Sequence, residues 1–281
     1  MGCDPVLNRN GVSAGGRAGC LLCVYVLMML TLFSGMAVNV MAAESRPFYP
    51  GETLKYKLRW EFVAAGEATL KILPYKMVSG ESACHFVMTA QTNAFVDAFY
   101  KVRDRIDAYA DRGMTRSLLY RKNQKEGRHK RDITVRFDWQ NRKAQYTNSG
   151  KAKPPVALMP GTFDPLSAFY FTRMADLREN AVIERPVTDG KKTITGKVRV
   201  LRRETITVTG GTFDTYLLEP DIEAVGGVFE KSRDARLHVW VTADHRRIPV
   251  RVKSKVAVGS FVGELVSVTE GQAPNSKHIE E

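Results

Sequence analysis

The sequence predicts a mainly β protein, in which a large antiparallel sheet curls into an open barrel and one amphipathic helix packs on it. Apolar and polar residues alternate with period two over most of the chain from Thr53 onward, turn residues recur at short intervals, and a single segment has helical spacing. A flat sheet of about thirteen strands would leave one apolar face in water, so we expect it to curl.

The strands follow one another closely along the chain. Residues 54–60 alternate apolar with basic side chains, as in a strand with one buried face, and Ala65-Gly66 is predicted to turn the chain into a partner over 68–72. Short connections make consecutive strands antiparallel neighbours, which favours a meander. The other predicted strands are 83–91, 100–110, 114–123, 131–139, 143–147, 192–202, 204–209, 213–219, 235–242, 248–258 and 261–269.

One helix interrupts this series at about residues 164–178. Asp164 can cap its N-terminus, and Pro165 suits the first helical position. The apolar residues that follow share one side of a helix. They are Leu166, Phe169, Tyr170, Met174 and Leu177.

The N-terminal 42 residues have the features of a signal peptide. An apolar run over 20–33 is shorter than the ~20 residues that span a bilayer, and small residues follow it. We predict cleavage near Ala42 or Ala43, a single periplasmic domain over 43–269 and a disordered tail over 270–281. An uncleaved anchor is the alternative, and it would be the only source of membrane association.

Cysteine and histidine give no sign of a metal or cofactor site. Only Cys84 remains after cleavage, in a predicted strand, where a small apolar core residue is the simplest interpretation. No two histidines have the spacing of paired metal ligands, and no phosphate-binding loop or nucleophile elbow is found. We therefore assign no catalytic residue, no metal and no cofactor, and an enzyme is the less favoured class.

Five short segments occur in a recognisable order along the chain. They are Gly51-Glu52-x-Leu54-x-Tyr56, Ala65-Gly66, Tyr100-Lys101-Val102-Arg103-Asp104, Asp164-x-Leu166-Ser167-Ala168-Phe169-Tyr170-x-x-Arg173 and Val239-Trp240-Val241-x-x-Asp244-x-x-Arg247-x-Pro249-Val250. Together they resemble an exported bacterial family, the domain of unknown function 3108. The resemblance covers about residues 46–269 and implies a periplasmic, mainly β domain with no established activity, so it transfers no site residue.

Most of the net charge of +12 comes from residues 112–153, which hold thirteen Lys or Arg against three acidic residues. We predict a hairpin around Gly127 with a cationic tip, which either keeps its edge soluble or contacts anionic groups such as lipid headgroups or acidic polymers. Nucleic acid is not expected beyond a membrane. The candidate ligand-binding cations are Arg121, Lys122, Arg128, Lys130 and Arg131.

Three further residues are candidates for ligand binding. Asp104 should share a face with apolar Val102 and Ile106, where it needs a partner such as Arg173 from the helix. A structural buried ion pair is the alternative interpretation of both residues. Trp240 alternates opposite to its valine neighbours and should face the other side of the sheet, at a cavity or an interface.

These observations leave three functional hypotheses. The favoured one is a non-catalytic envelope protein that binds an apolar or anionic component or assists its assembly. The second is an enzyme acting on an envelope polymer, with Asp104 or Asp244 as acid or base. The third is an interaction module that meets a protein partner through the basic hairpin.

Overall fold

The computed structural model describes residues 46–221, 235–256 and 259–273. Within these ranges the chain forms fifteen strands and two helices, α1 at Ala94–Asp97 and α2 at Pro165–Met174. The strands are β1 Thr53–Trp60, β2 Val63–Val78, β3 Glu81–Thr92, β4 Arg103–Asp111, β5 Ser117–Glu126, β6 His129–Asp138, β7 Lys143–Asn148, β8 Lys151–Ala152, β9 Val156–Ala157, β10 Val182–Thr188, β11 Thr193–Val208, β12 Gly211–Pro220, β13 Arg236–Thr242, β14 Pro249–Val256 and β15 Gly259–Thr269.

All fifteen strands belong to one antiparallel sheet. Its order is β10-β11-β12-β13-β14-β15-β1-β2-β3-β4-β5-β6-β7-β8, and β9 pairs with β7. The chain therefore follows two meanders, β1–β8 and β10–β15, which join where β1 pairs with β15. The predicted mainly β fold with an unclosed, curled antiparallel sheet is confirmed.

The far edges of the sheet come together through contacts other than a strand pair. Phe163 forms a parallel bridge to Val187 of β10, and the backbone N–H of Ser117 in β5 donates to the carbonyl of Thr162 at 3.1 Å. Gly190, in the turn after β10, has φ +87°, and a Cβ there would lie 2.7 Å from Val135 of β6. The sheet curls far enough that only a backbone without a side chain fits at this position.

Helix α2 begins where the sequence predicts. Asp164 is its N-cap, and one carboxylate oxygen accepts from the backbone N–H groups of Leu166 and Ser167, both at 2.9 Å. The other oxygen accepts from the Ser117 hydroxyl at 2.6 Å, which fixes the helix to the first residue of β5. The helix ends at Met174, four residues earlier than predicted, so Leu177 packs into a second apolar cluster beyond it.

The two ends of the sheet differ, and we name them by what they carry. Helix α2 lies at the end where β1 and β5 begin, which we call the helix end. At the opposite end lie the turns β1–β2, β3–β4 and β5–β6 and the start of β15, since alternate turns of an antiparallel meander share an end and β15 runs antiparallel to β1. We call it the loop end.

A buried ion pair holds α2 in place. Arg173 is 2% exposed, and its guanidinium donates to the two carboxylate oxygens of Glu52 at 2.6 and 2.9 Å and to the carbonyl of Arg246 at 3.0 Å. Burial opposes the charged form of Arg173, but the hydrogen bonds and charge of Glu52 outweigh it and raise the pKa of Arg173. Tyr170, one turn earlier, stacks on Phe86 with ring centroids 3.9 Å apart.

Several strand predictions require correction. The segments 192–202 and 204–209 form one strand, β11, with a bulge between Val200 and Arg202. Strand β10 was not predicted, because Pro186 and adjacent charged residues break its alternation; it is an edge strand, where proline is tolerated. Helix α1 spans four residues, too few for a helical period to show.

The predicted turn at Ala65-Gly66 is wrong. The turn lies at 61–62, and Gly66 is within β2, where a Cβ would approach the carbonyl oxygen of Gln91 to 2.0 Å. Gly66 allows β2 and β3 to approach each other closely, and it does not reverse the chain. Trp60, predicted as core, is 43% exposed and stacks on Phe261 across the β1–β15 pair.

Other predictions fall partly or wholly outside the described residues. Cys84 is buried in β3, as predicted for a core residue. The predicted signal peptide and its cleavage site lie outside the described residues, as does the tail beyond residue 273. No helix in the described ranges is long and apolar enough to cross a bilayer.

We expect Glu52→Gln to destabilise the fold by about 3–5 kcal/mol, because Arg173 would remain buried without a counter-charge. Urea unfolding followed by circular dichroism measures the loss. The matched control is Glu184→Gln, which removes an exposed partner of Lys197 and should change the free energy of unfolding little. Equal effects of the two substitutions would contradict the role assigned to the buried pair.

Candidate functional site

A cluster of polar side chains extends the core face of β4, β5 and β6 towards the loop end. Ile106, Lys122 and Ile133 lie side by side in the strand register, and both isoleucines are buried in the main core. Because side chains two residues apart share a face, the polar side chains beyond them lie on the core face as well. The polar cluster consists of Asp104, Lys122, Gln124, Glu126 and Arg131.

Hydrogen bonds connect the members of the polar cluster. The Gln124 amide donates to Glu126 at 3.0 Å and to Asp104 at 3.4 Å, and the backbone N–H of Lys125 donates to Asp104 at 3.0 Å. Asp104 therefore finds its partners on the neighbouring strand. The predicted pairing of Asp104 with Arg173 is wrong, because Arg173 pairs with Glu52 at the helix end.

The polar cluster changes the proton affinity of two of its members. Burial raises the pKa of Glu126, and a hydrogen bond and negative charge from Asp104 raise it further. Burial lowers the pKa of Lys122, against the opposing effect of Asp104 and Glu126. Glu126 therefore keeps its proton to a higher pH than a free glutamate, and the amine of Lys122 gives up its own more readily than a free lysine.

The other predicted cations lie outside the polar cluster. Arg121 is exposed opposite Asp107 in the register, on the other face of the sheet from Lys122. Arg128 lies in the β5–β6 turn, and Lys130 is the second residue of β6; both are exposed. The predicted hairpin around Gly127 is confirmed, and the structure brings Asp104, Lys122 and Arg131 together without Arg121, Arg128 or Lys130.

Arg173 and Trp240 have structural partners. Arg173 makes the buried contacts described above. Trp240 is 8% exposed, and its indole N–H donates to Glu204 at 2.8 Å, while the guanidinium of Arg251 lies 5.7 Å from the ring centroid. It packs in a different apolar cluster from Val239 and Val241, so the predicted opposite facing is confirmed, with the ring already covered by neighbours.

A groove of about 420 Å³ runs beside β1–β3 at the loop end. Two contacts join its polar side chains: Arg59 pairs with Glu264 at 3.1 Å, and the amide of Gln91 donates to Glu67. Most of the lining residues are of polar or charged type. It consists of Lys57, Leu58, Arg59, Ala64, Gly66, Glu67, Gln91, Thr92, Asn93, Thr209 and Glu264.

Sequence reasoning missed three residues that matter here. Glu126 and Gln124 follow Lys122 at period two, so strand alternation places them on the same face as Lys122. The prediction treated this segment only as basic. Glu52 stands in one of the segments that resemble the family. Nothing in its neighbourhood along the chain shows that it meets a helix more than a hundred residues later.

We expect Glu126→Gln to change how stability depends on pH. Because folding raises the pKa of Glu126, its contribution to stability is complete below the unfolded pKa and is lost as pH rises through the folded pKa. The variant should therefore gain stability relative to the native protein between about pH 4 and about pH 8. Urea unfolding at both pH values measures the gain.

Asp107→Asn is a control, because its effect on the pH dependence of stability should have the opposite sign. Although burial opposes it, hydrogen bonds from His85 and Arg105 hold the pKa of Asp107 at about 2. Its contribution to stability is present above the unfolded pKa and is lost as pH falls through the folded value. If Glu126→Gln followed the same trend as Asp107→Asn, the raised pKa of Glu126 would be contradicted.

Comparison with solved structures shows the fold of this chain in another bacterial protein. A β-barrel-like protein of the domain of unknown function DUF1849 from Brucella abortus superposes with a TM-score of 0.50 at 10% sequence identity. The superposition covers 79% of this chain and 98% of the Brucella chain. A candidate lipoprotein from Parabacteroides distasonis matches 80% of this chain and 98% of its own chain at 10% sequence identity, with a TM-score of only 0.32.

Comparison with curated proteins gives no significant match. The family model described as protein of unknown function (DUF3108) matches residues 55–266, which include the polar cluster and both members of the α2–β5 contact. The match spans every strand from β2 to β14. This chain therefore belongs to the DUF3108 family.

Proposed function

We propose that this protein is exported to the bacterial cell envelope and that its β domain binds an anionic envelope component without catalysing a reaction. Export is supported by the apolar run over 20–33 and the small residues that follow it. Anionic binding is supported by the β5–β6 hairpin. The single observation that carries the proposal is the clustering of exposed cations on this hairpin, none of which pairs with a carboxylate among the described residues.

Among the described residues, the exposed cations at the tip of this hairpin have no ion pairs. Some arginines of the sheet do pair with carboxylates, as Arg199 does with Glu219 at 2.8 Å and Arg251 with Glu264 at 2.9 Å. On the hairpin, Lys125, Arg128 and Lys130 are exposed, and none of the three forms an ion pair with any described residue. Unpaired cations in one place create a positive potential that attracts phosphate or carboxylate groups.

A polar or anionic ligand fits the described surface better than an apolar one. The main core is a cluster of apolar side chains packed on one another, and most of the residues that line the groove beside β1–β3 are of polar or charged type. An apolar ligand would need a continuous apolar cavity, which neither feature supplies. Assistance in assembly would use the same binding step, since an anionic component must be held before it is passed on.

We expect the triple variant Lys125→Gln, Arg128→Gln, Lys130→Gln to bind inorganic polyphosphate at least ~tenfold more weakly at low salt, since each lost cation removes a phosphate contact. Titration at increasing salt measures the affinity and its salt dependence, and both should fall. The matched control carries Lys76→Gln, Arg142→Gln and Lys143→Gln, three exposed cations at the helix end. Equal losses in the two variants would exclude the hairpin as the binding element.

The second candidate function is acid–base chemistry on an envelope polymer at the polar cluster. The observation that favours it is the raised pKa of Glu126 beside Asp104 and Lys122. Asp244, the other predicted acid or base, instead receives hydrogen bonds from Thr242 and Arg246 and has a lowered pKa despite partial burial. Release of soluble fragments from purified peptidoglycan, abolished by Asp104→Asn or Glu126→Gln, would establish the enzyme and overturn the non-catalytic proposal.

A further inference from the structure

The large apolar side chains that the described surface exposes are concentrated at the loop end. Phe62 is 97% exposed and Phe99 is 80% exposed, whereas monomeric proteins rarely expose such side chains together. Away from this end, only Met77 and Val182 among the described residues belong to the same class. The aromatic members, which we call the aromatic rim, are Trp60, Phe62, Phe95, Phe99, Tyr100 and Phe261.

Hydrogen bonds join the segments that carry the aromatic rim, which are the β1–β2 turn, the β3–β4 connection and the start of β15. The Asn93 side chain at the start of α1 donates to the carbonyl of Ala64 at 2.6 Å, which joins the β3–β4 connection to β2. Glu61 accepts from the backbone N–H of Ser260 at 2.6 Å, which joins the β1–β2 turn to β15. The rim is therefore a preformed surface made by neighbouring turns.

The aromatic rim continues into the basic hairpin. Tyr100 packs against the β5–β6 turn so closely that a Cβ on Gly127 would lie 2.9 Å from its ring. Beside this contact lie the exposed cations Lys125, Arg128 and Lys130. Of the acidic groups nearby, Asp97 is paired with Arg103, and Glu61 accepts a hydrogen bond from the backbone N–H of Ser260.

Exposed aromatic side chains beside unpaired cations match the interface of an anionic bilayer. Aromatic rings partition into the headgroup region, while Lys and Arg attract anionic headgroups, and the two effects add. The rim side chains lie in the β1–β2 turn, in the β3–β4 connection and at the adjoining ends of β1 and β15, where Trp60 stacks on Phe261 and Phe95 lies edge-on to Phe99. Small exposed groups of rings suit a fluid layer that closes around them, whereas a protein partner needs a broad complementary surface.

We propose that the loop end docks on a bilayer containing anionic phospholipid, with the aromatic rim inserted among the headgroups and the hairpin cations against phosphate. This inference deepens the proposed function and rests on it, because the same cations supply the anionic binding. It departs from the expectation that only the N-terminal segment contacts a membrane. In the docked state the helix end points away from the bilayer.

Vesicle binding by the full chain tests the proposal. Every variant carries the same N-terminal segment, so a difference between variants arises in the β domain. We expect co-sedimentation with phosphatidylcholine vesicles that contain phosphatidylglycerol to exceed that with phosphatidylcholine alone. The triple variant Phe62→Ser, Phe95→Ser, Phe99→Ser should bind the anionic vesicles at least ~tenfold more weakly, and the control Met77→Ser, Val182→Ser should bind as the native protein does.

Insertion is measured separately through Trp60. Brominated phosphatidylcholine in the anionic vesicles should quench its emission, and Trp60→Phe should remove the quenchable part, because Trp240 is buried and Trp139 follows β6 at the helix end. If the hairpin variant Lys125→Gln, Arg128→Gln, Lys130→Gln loses vesicle binding while the serine triple variant keeps it and Trp60 stays unquenched, the inference fails and the proposed function stands. If the hairpin variant keeps both polyphosphate and vesicle binding, the proposed function fails as well.

Discussion

The buried pair between Glu52 and Arg173 is the interaction on which the arrangement of this domain depends. It joins the residue just before β1 to the helix that follows the first meander, and the same guanidinium reaches the carbonyl of Arg246 in the turn between β13 and β14. One side chain thus connects both meanders of the sheet. A charge buried to this degree is tolerated only with its partner in place, so the pair specifies where α2 must lie.

The position of α2 makes the two ends of the sheet unequal. At the helix end, the N-cap Asp164 accepts a hydrogen bond from Ser117 at the start of β5, and α2 covers the core with aromatic side chains such as Tyr170. At the loop end no helix of comparable length covers the described strands. The core face there ends in the polar cluster, and the turns expose aromatic rings and cations. Stability is thereby concentrated at one end, and the groups suited to binding lie at the other.

Much of this fold can be predicted from strand alternation alone, since one buried face imposes period two on almost every segment. The prediction fails where that physical rule does not apply. Strand β10 lies at an edge and tolerates Pro186, and Gly66 permits a close strand contact where a turn was expected. Trp60 alternates like a core residue, but it lies at the last position of β1, where the sheet no longer has a core to cover it.

Strand alternation is also not enough to predict the candidate site. Alternation places Lys122, Glu126 and Arg131 on one face, but which acidic group meets which cation depends on contacts between residues far apart in the chain. Asp104 and Arg173 each needed a partner by their burial, and each found a different one. The aromatic rim arises in the same way, because turns separated by up to two hundred residues become neighbours only when β15 pairs with β1.

The most direct test of this division between the two ends is amide hydrogen exchange of the native full chain with and without phosphatidylglycerol-containing vesicles. Our account predicts added protection in the turns at 60–63, 93–102 and 126–129, with exchange in α2 and around Glu52 unchanged. Protection that appears at the helix end instead, or spreads evenly over both ends, would contradict it.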